Sequence, residues 1–138
     1  MVKIAVKQIF EVSKTALMRH GAKEWIANHV ADAVAKSESV GNRICGLYYL
    51  ESYCQQLVTG RVNGTVEPVV SKPKEAAIFV NAGFGFAQPA FAKGLLDSVT
   101  QAQTFGVSAL SVGHAHTCTS LGYFTEQIAH AGVIGIGF

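Results

Sequence analysis

No run of about 18 apolar residues occurs in this chain, so a membrane-spanning helix is not expected. The opening stretch MVKIAVKQIFEVSK spreads lysines through the region where a signal peptide needs an unbroken apolar block, which makes a cytoplasmic location the expectation. Charge is also sparse. Only 14 % of residues are charged, the formal net charge is +2, and the lysines and arginines are scattered instead of forming a stripe, which argues against a nucleic-acid partner. The three cysteines, Cys45, Cys54 and Cys118, are odd in number and widely spaced. They read as reduced thiols serving as small core residues, not as a disulfide framework. No internal repeat and no low-complexity segment is present.

What the chain has is apolar content: 49 % of 138 residues, enough for one domain with a real core, or for a helical piece packed on a small α/β unit. Residues 1–60 read as helical. Ile9, Val12, Ala16 and Leu17 recur at three- and four-residue spacing, and Arg19, His20 and Gly21 suit a helix end with a left-handed cap. A second helix is expected over 22–36, with Trp25, Ile26, Val30, Ala33 and Val34 on one side and a break at SES. A third is expected over 45–58, stopping at Gly60. Residues 61–75 contain Asn-Gly together with Pro68 and Pro73, which favours a connector of turns and extended backbone.

From residue 76 to 138 short apolar runs alternate with helical stretches: AAIFV, a helix over 89–105 that Pro89 could open, SALSV, a helix over 121–131, then GVIGIGF. The pattern predicts an α/β fold in which three N-terminal helices precede a β-α-β-α-β unit, with parallel strands on a bare reading. The apolar final strand, with no polar tail, suggests that something ought to follow it.

Three motifs could carry chemistry. AGFGFAQP holds Gly83-x-Gly85, but Gln88 stands where a dinucleotide fingerprint needs its third glycine, so the turn also reads simply as a strand-to-helix connection. In SVGHAHTCTSLGYF, the alternating residues His114, His116 and Cys118 would share one face of an extended strand and could chelate zinc. A fourth ligand is missing, so a polar strand-end loop is preferred and no metal is expected. A cysteine nucleophile, Cys45 or Cys118 paired with a histidine, is the third possibility. His20, His29 and His130 read as solvated or capping residues.

The order of these pieces resembles the NAD(P)-dependent malate/L-lactate/sulfolactate dehydrogenase family, which includes diketogulonate, ureidoglycolate and piperideine-carboxylate enzymes. The resemblance spans nearly the whole chain: the helical pair split by HG at 20–21, GLYYLESYCQQLVTGRVN, VEPVV, FVNAGFGFAQPAFAK and GVSALSVGHAHTCTSLGYFTEQIAHAGVIGIGF. It implies a mixed, non-Rossmann sheet of the sulfolactate dehydrogenase type, truncated, with residues 76–138 forming part of a nucleotide-binding unit. It also implies an oxidoreductase using NAD or NADP on a 2-hydroxy or 2-oxo acid.

The departures from the family pattern fall on the chemistry. The family's Ser-His-Gly triplet, whose histidine is implicated in proton transfer, aligns with Ile44, Cys45 and Gly46, leaving Cys45 in the proton-donor position. A thiol, with a usual pKa near about 8.5, is a poor substitute for an imidazole near about 6.5. Arg43 precedes the altered pair as a candidate for substrate carboxylate binding, while Tyr48 and Tyr49 stand where the family has arginine. Asn81-Ala82 replaces Asp-Gly. His116 matches the loop histidine beside the nicotinamide, making it a candidate catalytic and cofactor residue, with Thr117, Cys118, Gly85 and Gln88 as further cofactor candidates. Family members continue well beyond the GVIGIGF strand. The expectation is therefore a truncated and impaired dehydrogenase, or a catalytically silent relative that binds a metabolite, a nucleotide or a protein. Its uncovered sheet edge is expected to drive homo-oligomerisation or to recruit a protein partner.

Overall fold

A computed structural model describes residues 3–116 and 118–138. The chain divides into two compact units, Met1–Thr65 and Val66–Phe138.

The first unit is helical: α1 (Val6–Arg19), α2 (Glu24–Ser39), a short 3-10 turn at Arg43–Cys45, and α3 (Leu47–Val58). The apolar stripe of α1 differs from the expected one. Ile9, Ser13 and Leu17, spaced by four, are buried, whereas Val12 points outward. Leu17, Ile26, Val30 and Val34 of α1 and α2, Tyr53 of α3, and Val62 are all buried and form the core of this unit. Helix α2 runs through the SES stretch that was expected to break it. Ser37 is buried, and the Ser39 hydroxyl donates to the Lys36 carbonyl at 2.7 Å, so both serines are accommodated inside the last turn. Helix α3 begins at Leu47, two residues later than expected, because residues 43–45 take the tighter turn.

The second unit is a three-stranded sheet with two helices: β1 (Val69–Lys74), β2 (Ala77–Asn81), α4 (Ala87–Phe105), β3 (Ala109–Gly113) and α5 (Leu121–His130). The expected connector thus contains a strand. Lys74 opposes Ala77 in a tight β1–β2 hairpin, and the ladder slips between Ser71 and Lys74, next to Pro73, which has no N–H to donate. The strand order is β1-β2-β3, antiparallel on the first side and parallel on the second. The sheet is therefore mixed, as the family resemblance implies, and the bare parallel reading holds only for β2 and β3, the pair joined through α4.

Helix α4 lies on the sheet through Gly94. A Cβ there would sit 2.6 Å from Leu110 Cδ1 and 2.7 Å from Val80 Cγ2, so the helix backbone itself meets the strands. Ile78, Val80, Ala82 and Ala90 form the core beneath it, flanked by Val70, Leu110 and Val112. Gly106, left-handed at φ 81°, ends the helix. The last expected strand is not formed. Residues 133–138 have no ladder partner and lie as non-regular chain against α5, where a Cβ on Gly135 would fall 2.9 Å from Ile128 Cβ. A strand is stabilised by its neighbour, and among the described residues none pairs with this segment.

Candidate functional site

The parallel strands β2 and β3 end side by side, and their pairing continues into the loops that follow. The Ala82 amide donates to the Gly113 carbonyl at 2.9 Å, the Phe84 amide to His114 at 2.7 Å, and the His116 amide to Gly85 at 2.8 Å. Phe86 and His116 then form an isolated parallel bridge. This zipper brings Gly85 and His116 together at the carboxyl ends of the strands, where open α/β sheets commonly place their ligand sites.

Asn81 organises the turn. Its Oδ1 accepts from the Gly83 amide at 2.9 Å and from His114 Nδ1 at 3.2 Å, the local role that an aspartate carboxylate could also play. Phe84, His114 and Thr119 all adopt left-handed backbone, at φ 61°, 50° and 50°. Non-glycine residues hold such angles only where neighbouring contacts enforce them. The Phe84 ring is 68 % exposed and packs against the His114 ring at 5.4 Å between centroids.

The zinc geometry considered from the sequence does not form. Strand β3 ends at Gly113, and the left-handed His114 directs its ring to Asn81 and Phe84, so His114, His116 and Cys118 do not share an extended face. Among the described residues no three His, Cys, Asp or Glu side chains gather as metal ligands would.

His116 and Cys118, both half-buried, line a cavity of about 730 Å³ bounded by α4, β3, α5 and residues 133–138. None of the residues lining it is Asp, Glu, Lys or Arg. Thr117 lies outside the described residues. Gly85 is buried, and Gln88 is 1 % exposed within a continuous buried stretch, Phe86 to Phe91, that contains the whole first turn of α4. Amides at a helix N-terminus can hold a dinucleotide pyrophosphate only if it reaches them. The Gln88 side chain is buried in this turn, while Ala87 of the same turn lines the cavity.

The other two candidates belong to the first unit. Arg43 is exposed, Ile44 is 70 % exposed and Cys45 is half-buried, all in the 3-10 turn before α3. Glu38, unnoticed in the sequence, occupies the start of that helix: its carboxylate accepts from the Leu47 amide at 2.8 Å. The only sequence signal was an acidic residue in SES, eight positions before Gly46. A carboxylate already seated at a helix N-terminus satisfies one of its free amides and repels a second anion.

Among the thiols, burial pushes Cys54 up, because the thiolate is disfavoured away from water. Cys45 and Cys118 are therefore expected to react with Ellman's reagent well before Cys54, whose reaction should await unfolding. A single common rate for all three thiols would contradict this packing.

A malate/L-lactate dehydrogenase family model matches residues 4–138. The chain belongs to this family. Curated members that it resembles include a Delta(1)-pyrroline-2-carboxylate/Delta(1)-piperideine-2-carboxylate reductase of Pseudomonas putida, 26 % identical over 99 % of this chain and 40 % of that protein. A (2R)-3-sulfolactate dehydrogenase (NADP(+)) of Chromohalobacter salexigens is 27 % identical over 98 % of this chain and 40 % of that protein. Among solved structures, malate dehydrogenase from Entamoeba histolytica superposes with a TM-score of 0.86 at 19 % identity, over 95 % of this chain and 37 % of that one, which shows the shared family fold. The chain thus spans about two fifths of the length of the curated family members it matches. No described helix is long and apolar enough to cross a membrane.

Proposed function

We propose that this chain is a partial relative of the NAD(P)-dependent 2-hydroxy/2-oxo acid dehydrogenases that keeps the His116 corner of their site and is catalytically silent by itself. The observation that carries this reading is that Ile44 and Cys45 stand where the family pattern has Ser-His, while His116 still opens onto the cavity. An imidazole at that position can exchange a proton with a substrate oxygen. Cys45, in the family's proton-donor position, replaces an imidazole with a weaker acid-base group. Arg43 remains able to pair with a carboxylate, although Glu38 already serves the neighbouring helix end. The altered residues at 44 and 45 support an impaired site.

The test is a fluorescence titration with NADH and NADPH of the wild type and of Cys45→His. No saturation up to millimolar cofactor is expected for either protein. Saturable binding at micromolar concentration would overturn the silent reading and call for a screen of 2-oxo acids for turnover.

A further inference from the structure

The first unit, which ends at Thr65, closes with an Asn-Gly step at 63–64. Asn63 is exposed and Gly64 is buried. Gly64 clamps the segment to the helices. Its carbonyl accepts from the Lys23 amide, just before α2, at 2.9 Å. A Cβ on it would fall 2.6 Å from Leu57 Cδ2 and 2.7 Å from the Gly21 carbonyl oxygen, so only glycine fits between α3 and the α1–α2 turn. The Asn63 side chain is held as well: its Oδ1 accepts from the Thr65 amide at 3.0 Å and from the Thr65 hydroxyl at 3.1 Å. Among the described residues no acceptor takes the Gly64 amide.

These are the parts of an intramolecular acyl transfer. The nucleophile is the Gly64 nitrogen, the next main-chain nitrogen after Asn63, held close to Asn63 Cγ by the chain itself and without a Cβ against its approach. The two Thr65 donors face Oδ1, the atom on which negative charge develops when that nitrogen adds to Cγ. We propose that Asn63 is a site of spontaneous deamidation, promoted by Thr65, whose isoaspartate product releases the Gly64 clamp. The Gly64 nitrogen gives its proton to solvent base and bonds to Cγ; the Cγ–Nδ2 bond breaks and ammonia leaves with a proton from water, giving a succinimide. Water then opens the ring. Attack at Cγ gives aspartate at 63, and attack at the main-chain carbonyl carbon gives isoaspartate, in which the chain runs through Cβ and Cγ. That route adds one methylene directly before Gly64, which has no room to shift because Leu57, Gly21 and Ala22 lie against it. The Lys23–Gly64 hydrogen bond is then lost. Aspartate keeps the ordinary chain and two acceptor oxygens for Thr65.

The experiment incubates the folded full chain in mildly alkaline buffer and follows the tryptic peptide beginning at Val62 by mass spectrometry, with fragmentation that separates the two acids. The wild type is expected to accumulate both. Thr65→Val keeps the side-chain shape without the hydroxyl and should slow conversion at least about threefold, less than for a donor in a water-excluded site because Thr65 is exposed. Thr65→Ser should match the wild type, and in urea, where the turn is gone, all three should convert alike. Folded protein that stays amidated while the unfolded protein converts overturns the proposal, as does a folded Thr65→Val protein converting at the wild-type rate. The isoaspartate form, separated by chromatography, should melt below the wild type and exchange its Lys23 amide at least about tenfold faster, whereas Asn63→Asp should match the wild type in both. An isoaspartate form with wild-type protection at Lys23 overturns the release of the clamp.

Discussion

Gly94→Val is expected to give the larger loss of stability of the second unit, with Gly94→Ala intermediate. A Cβ at this position meets Val80 Cγ2 at 2.7 Å and Leu110 Cδ1 at 2.6 Å. Leu110 can rotate away. Val80 is completely buried and its β-branched side chain is stiff, so relief requires the helix to lift from the sheet. Overpacking of this kind costs about 1–3 kcal/mol, and valine adds bulk where alanine already clashes. Thermal unfolding by circular dichroism should show successive drops of several degrees, and amide exchange should localise the loss to β2, β3 and α4. A Gly94→Val protein melting with the wild type would mean that α4 is not seated on this glycine.

Phe86→Ala is the second substitution with a large expected effect, because it joins the core to the candidate site. The ring is 1 % exposed, and the residue stands at the N-cap of α4 and bridges His116. Removing a buried phenylalanine side chain typically costs about 3–5 kcal/mol through lost burial and the cavity left behind. Phe86→Leu should retain much of that stability. The backbone bridge that holds His116 depends on the same segment, so the imidazole signals of His116 should broaden or shift in the alanine variant and stay near wild type in the leucine variant. Unchanged imidazole signals in a clearly destabilised Phe86→Ala protein would separate the core role from the positioning of His116.

Helix existence was legible because the 3.6-residue period is a property of each segment alone, as the runs around Leu17, Val30 and Leu57 show. The limits of those helices were less legible. Polar residues at 37–39 look like a break until burial and a serine hydroxyl bonded back to the helix absorb them. Candidate residues were legible only as types. His116 and Gly85 adjoin through backbone pairing of two loops 31 residues apart, and Glu38 reaches the start of a helix nine residues later; neither relation leaves a local pattern.

By itself the sequence determined the three leading helices, the strands at 77–81 and 109–113 with the helices that follow them, and the position of a histidine loop after the second of these strands. Local periodicity, turn chemistry and motif order carry that information. Tertiary structure alone decided that residues 69–74 form a strand, that β1 and β3 pair with β2 in opposite senses, that 133–138 lie on α5 unpaired, and that Gln88 is sealed inside. Each of these depends on which distant segment supplies a hydrogen-bonding neighbour or excludes water. A chain segment does not encode its neighbour in its own periodicity.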